Sequence, residues 1–177
     1  MRFLYSFTAF VLVFTLLLTP VFAKDEQASD SAKVDVYGLF WPVVPGKTLG
    51  DPMFMFKQLK ETFGGMFIFG TVAKSEYQLE LSEKRLVEAA KLTEDKDFGN
   101  AVKSIELNTE ARVEALKLKK RAVEEKADTL ELTNKLVKSF ENQEKALLFL
   151  SSQMTDEQKN KLSETLKELP LQISEAK

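Results

Sequence analysis

The chain has no histidine and no cysteine. Without histidine it lacks the one side chain whose unperturbed proton affinity lies near neutrality, which removes the usual general base, the base of a nucleophilic triad and the imidazole metal ligand. Without cysteine it has no thiol nucleophile, no thiolate zinc site, no disulfide and no lipidated thiol. Catalysis would have to rest on carboxylates, lysine, tyrosine or serine, and stability must come from a packed core. Glycine (7) and proline (5) are scarce, and most of them fall between positions 38 and 70. The C-terminal hundred residues are thus almost free of helix breakers. A concentrated basic footprint is missing too, since 25 Lys and Arg face 27 Asp and Glu. No electrostatic case for a nucleic-acid partner exists.

What is present begins with a three-part N-terminus. Arg2 is the only charge in the first 23 residues, an apolar run covers 7–18, and Pro20 precedes Val21, Phe22 and Ala23. This layout predicts a secretory signal peptide at 1–23, cleaved after Ala23. The uncharged stretch 3–23 also approaches the roughly 20 apolar residues that span a bilayer, so an uncleaved anchor is the alternative. Both place the remainder outside the cytoplasm, in the periplasm, at the cell surface or secreted. Residues 24–35 read as a flexible polar leader.

A single all-α domain is expected over 36–177. It opens with an apolar arm at 36–46, in which Pro42 and Pro45 bias Trp41 and Val44 to extended backbone. The arm is expected to lie along the helices and close their core, with a docking role for partner or lipid as the other reading. Helices are predicted at about 52–63, 71–94, 98–126, 129–151 and 156–169, forming an antiparallel bundle. Asp51-Pro52 starts the first and Gly64-Gly65 stops it. Met66, Phe67, Ile68 and Phe69 lie between glycines, but no lysine follows as in a phosphate loop, so a hydrophobic turn tucked under the bundle is expected.

The second helix puts Val72, Leu79, Leu86, Ala89, Ala90 and Leu92 on one side, with Lys74, Glu76, Glu80, Glu83, Lys84 and Glu88 largely on the other. Asp97 is a cap for the third, which is expected to bury Val102, Ile105, Val113, Leu116 and Val123. Asp128 and Glu131 have capping-box spacing, and Ala127-Asp128 reads either as a turn or as the middle of one very long helix. Leu132, Leu136, Phe140, Gln143, Leu147 and Leu150 mark the fourth. A second capping box, Thr155 with Gln158, opens the last, which buries Leu162, Leu166 and Leu169 and should stop before Pro170.

Clustered charges have a plain reading. Glu76, Glu80 and Glu83, and likewise Glu106, Glu110 and Glu114, share helix faces as in dimetal bundles, but those sites add a Glu-x-x-His that this chain cannot supply. Lys74, Lys84, Arg85, Lys103, Arg112 and Lys117 are spaced to pair with these acids on a wet surface. Lys117, Lys119, Lys120 and Arg121 are followed at once by Glu124 and Glu125, again a solvated face, with contact to anionic lipid or a polyanion as the other reading. No catalytic residue, cofactor or metal is expected. A carboxylate-dependent hydrolase would need two or more acids converging in a deep pocket.

Residues 45–61 contain Pro45-Gly46 and Gly50-Asp51-Pro52, followed by Met53, Phe54, Met55, Phe56, Lys57, Leu59, Lys60 and Glu61. Glu76, Tyr77, Leu79, Leu81, Glu83, Arg85, Leu86, Glu88 and Ala89 continue the pattern. Over roughly 45–90 the chain resembles the bacterial family called domain of unknown function 5667, in which a Pro-Gly-Asp element leads into an aromatic, lysine-containing helix. Here Lys47, Thr48 and Leu49 are inserted into that element. The resemblance implies an exported helical protein and carries over no catalytic residues. The expected function is a non-enzymatic protein-protein interaction module of the bacterial envelope or exterior, meeting an envelope protein or a second copy of itself through the arm and the region 63–69, with Trp41, Phe54, Phe56, Phe67 and Phe69 as the contact residues. The alternative is a peripheral membrane or cell-wall associating protein that inserts Phe67, Ile68 and Phe69.

Overall fold

The computed structural model describes residues 34–177, so the expected signal peptide and nearly all of the leader lie outside the described residues. Within them the chain is all-helical: α1 Val36–Leu39, α2 Phe54–Met66, α3 Thr71–Glu94, α4 Phe98–Glu124, α5 Leu130–Ser152 and α6 Asp156–Ala176. The four long helices form two antiparallel hairpins, α3 with α4 and α5 with α6. The hairpins stack so that α5 runs parallel to α3, since Lys135 meets Glu76 and Ser139 meets Glu83. Their shared interior is one core of Leu86, Ile105, Leu132, Leu136, Phe140, Leu147, Leu162 and Leu169.

Small and polar residues set how closely α3 and α4 approach. Ser75 Oγ donates to the Ala115 carbonyl at 2.7 Å and Ser104 Oγ to the Arg85 carbonyl at 2.8 Å, all inside the hairpin. Asn108 Nδ2 donates to the Ser82 carbonyl at 2.8 Å and to Gln143 Oε1 at 2.7 Å, which ties α5 to the same seam. Val102, Ile105 and Leu116 are buried as expected, and this seam corrects the expected inner face of α4 at two positions. Val113 and Val123 are about half exposed, at 49% and 51%, while Ala101, Ala111, Ala115 and Ala122 are inside.

The turns that end α3 and α4 each use a lysine in left-handed backbone, Lys96 at φ 61° within the first hairpin and Lys126 at φ 57° in the link between the two hairpins. Asp97 N donates to the Leu92 carbonyl and Lys96 N to that of Thr93, and Ala127 and Lys126 do the same to Ala122 and Val123. These are the paired bonds of a Schellman helix end, usually built with glycine. They make the chain at Ala127 a true turn. The Asp97 cap and the Thr155 and Gln158 capping box are both present. Thr129, not Asp128, caps α5, and its side chain makes no capping bond.

Four other expectations are corrected. The arm is not extended throughout: Asp35 caps a helical turn, α1, that buries Val36, and Phe40 follows into the core. It does close that core, with Val34, Tyr37, Leu39, Val43 and Leu49 packed against it. Asp51 folds a turn onto Met53 N at 2.8 Å and α2 begins only at Phe54, then runs through Gly64-Gly65 to Met66. The glycines serve contact, not termination, because a Cβ on Gly65 would lie 2.9 Å from the Tyr77 ring. Finally, α6 passes Pro170 and ends at Ala176. Proline in a helix costs about 3 kcal/mol. Burying Leu169, Gln172, Ile173 and Ala176 against the bundle offsets it, at about 1.5–3 kcal/mol per large apolar side chain.

Candidate interaction surface

Helix α2 sits on α3 with its amphipathicity reversed. At about 100° per residue, Phe54, Lys57, Glu61, Gly64 and Gly65 share one side and Met55, Phe56, Leu59, Phe63 and Met66 the other. The first group faces the bundle and contains the only fully buried residue of the helix, Phe54, at 5% exposure. The second faces solvent, with Phe56 at 65% and Met55 at 74%. The apolar strip continues into the following turn, where Phe67 is 75% and Phe69 86% exposed. The turn at 67–69 is therefore not tucked under the bundle, as its composition predicted.

The inward side is held by charge. Glu88, fully buried on α3, accepts from Lys57 Nζ and from Arg85 Nη1 at 2.9 and 3.1 Å. Arg85 also donates to Glu61 of α2, and Lys84 pairs with the same carboxylate. The Phe54 ring lies 5.1 Å from Lys57 Nζ and 5.5 Å from the Arg85 guanidinium, close enough for cation–π attraction. Lys57 Nζ also donates to the Lys47 carbonyl at 2.6 Å, and Tyr77 Oη to the Glu61 carbonyl at 2.5 Å. The cluster thus links the end of the arm, α2 and α3.

Burial pushes the Lys57 ammonium down from its ordinary range, and the hydrogen bond and charge of Glu88 offset this in part. Burial also works to raise the Glu61 carboxyl, but Lys84 and Arg85 outweigh it and hold the group below its usual range. These charges sit where helical periodicity predicted a wet face. Glu88 and Arg112 are 0% exposed and Arg85 only 7%.

A groove flanks α2 on each side. One, of about 1140 Å³, lies between the arm, α2, α3 and α5, with Trp41, Val43, Lys60, Tyr77 and Lys138 among its walls. The other, of about 860 Å³, is bounded by α2, α3 and α4 and includes Met55, Met66, Lys74, Leu81 and Arg121. Helix α2 is therefore a convex ridge between two depressions. Of the residues expected to make contact, Phe56, Phe67 and Phe69 lie along the ridge and its end. Trp41, 79% exposed, stands across the first groove. Phe54 is removed from the surface, since its ring lies beneath the helix. Met55 and Leu59 were missed, although Phe56, Leu59, Phe63 and Met66 repeat at steps of three, four and three.

Among the described residues no three His, Cys, Asp or Glu side chains are grouped to hold a metal ion, and no helix is long and apolar enough to cross a membrane. No protein-family model, curated protein or solved structure matches the chain.

Proposed function

We propose that the chain is a non-enzymatic interaction protein of the bacterial envelope or exterior, and that the outward face of α2 with the turn at 67–69 is its contact surface. The observation that carries this reading is the reversed helix. A surface helix ordinarily turns its apolar stripe to the core. Here buried ion pairs hold the polar side down and leave five large apolar side chains in water, continuous with two more. Contiguous exposure of that kind marks an interaction site or an aggregation hazard. The N-terminal pattern at 1–23 and the resemblance of 45–90 to exported helical proteins support the location.

The test is retention in the envelope of producing cells. The parent chain is expected to stay with the envelope fraction after osmotic release, and Phe56→Ser with Phe63→Ser to shift it into the soluble pool. Both side chains point to solvent, so the helical circular dichroism and melting temperature should not change. A parent that is not retained, or a variant retained equally, would overturn the reading.

A further inference from the structure

We propose that this face is occupied by an anionic lipid bilayer surface, on which α2 lies flat with Met55, Phe56, Leu59, Phe63 and Met66 immersed; the proposal rests on the contact-surface reading above. Shape is the first ground. The face is a ridge with no socket of its own, and fluid acyl chains close around such a ridge without a preformed complement. Thirteen residues of helix extend about 20 Å, the scale of an interfacial helix that buries its apolar face at the headgroup boundary.

Charge is the second. Residues 47–74, which carry the ridge, hold four basic and two acidic side chains, a net +2. The rest of the described chain, 34–46 and 75–177, holds 18 basic and 22 acidic, a net −4. Two of these four cations, Lys60 and Lys74, sit where a membrane would meet them. Lys60 lines the groove on one flank of α2 and Lys74 that on the other. Both are exposed, and among the described residues neither forms an ion pair, whereas Lys57, Lys84 and Arg85 are spent on the inward cluster. Trp41 adds an exposed indole at one flank, a side chain suited to headgroup depth.

A second copy fits less well. A ridge about 20 Å by 11 Å has a footprint on the order of 220 Å², short of the roughly 800 Å² per partner of a stable interface. Two such ridges would also bring like charge together.

The experiment is flotation of the exported protein with vesicles of phosphatidylcholine alone or with 30% phosphatidylglycerol added, followed in parallel by Trp41 fluorescence. Binding is expected with the anionic vesicles, with a blue shift of Trp41, and to weaken on neutral vesicles and in high salt. Lys60→Gln with Lys74→Gln keeps the fold and is expected to weaken partition on the order of tenfold or more, at about fivefold per lysine. Phe63→Ser with Phe67→Ser should abolish it. Equal binding by parent and both variants, or none by the parent, overturns the lipid occupant. If the parent instead sediments as a dimer that Phe63→Ser dissolves, the occupant is a second copy. If vesicle binding fails while Phe56→Ser with Phe63→Ser still frees the chain from the envelope, the contact surface stands and a protein takes the lipid's place. If that variant remains in the envelope, both readings fall.

Discussion

Lys57 of α2 donates its ammonium hydrogen bond to Glu88 of α3, a carboxylate that no water reaches. Arg85 shares the same carboxylate, so one buried anion holds two cations, and through Lys57 and the Lys47 carbonyl, next after the arm, it fixes three segments at once. An ion pair in such a place is a weak source of net stability, because desolvation of the charges consumes most of their attraction. What it provides is orientation. A purely apolar inner face would bury the Phe56 and Phe63 side of α2; the charged one fixes the opposite side inward.

Breaking the pair from one side should therefore be costly. Glu88→Ala leaves Lys57 and Arg85 facing each other in a closed space, and a loss of about 3–5 kcal/mol is expected, read by urea denaturation. The double change Lys57→Met with Glu88→Leu removes both charges and should lose much less than the sum of its single changes. If the double change costs as much as that sum, the two residues do not act as a pair.

Arg112 offers the opposite case. Its guanidinium is fully buried between α4 and α6, and among the described residues only Thr109 Oγ1 accepts from it, at 3.0 Å, with Nε and Nη1 unmatched. Burial pulls its pKa down to about 10, and the charge of Glu168 restores little, so it is still a cation at neutral pH. Arg112→Met keeps most of the volume and removes the charge. A gain of about 1–4 kcal/mol is expected, measured as a rise in the denaturation midpoint at constant slope. A loss would mean that the guanidinium is better satisfied in solution than its hydrogen bonds indicate.

The elements of the bundle were legible because their signals are local. Apolar residues returning to one helical face marked α3, steps of three and four from Leu132 to Leu150 marked α5, and Asp97 and Thr155 with Gln158 marked helix starts. Readings failed where distant contacts overrode a local rule. Pro170 should end α6, but beyond it Ile173 packs on the core and Ala176 is buried, contacts that no cap or breaker signal announces. Val113 looked like a core residue because beside Val102, Ile105 and Leu116 the buried face of α4 is completed by small alanines and by Ser104 and Asn108, and a search for large apolar side chains passes over both. The contact surface was half legible. Phe67 and Phe69 stood out by composition, but which side of α2 faces outward depends on Lys57 finding Glu88, 31 residues away. Arg85, Glu88 and Arg112 looked like surface charges for the same reason.

The two left-handed lysines test how the turns after α3 and α4 are set. A side chain at positive φ costs roughly 1–2 kcal/mol relative to its preferred backbone, and glycine avoids that cost while gaining disorder in the unfolded chain. Lys96→Gly and Lys126→Gly are each expected to raise stability by about 0.5–1 kcal/mol, additively, since they lie in different turns. Differential scanning calorimetry of the single and double variants checks this. A fall in melting temperature would show that these lysine side chains make a stabilising contact of their own.

Glu83 carries the clearest pH signature. Its carboxylate accepts from the Ser139 hydroxyl at 2.6 Å and has no cation partner among the described residues. Burial pushes its pKa up, the Ser139 hydrogen bond takes back part of the rise, and the neighbouring Glu80 adds to it. A carboxyl that is raised on folding binds its proton more tightly in the folded than in the unfolded chain. Its charged form therefore opposes folding above the raised pKa, and that opposition fades as pH falls through it towards the ordinary value of about 4.3. Glu83→Gln keeps an acceptor for Ser139 and deletes the charge. The variant is expected to be more stable than the parent at pH 7, with the difference closing as the pH falls through the raised pKa to the ordinary carboxylate value of about 4.3. Because every other acid is common to both chains, urea denaturation of the pair from pH 7 to pH 4 isolates this one group. A difference that does not change with pH would mean that Glu83 folds with an unshifted carboxyl.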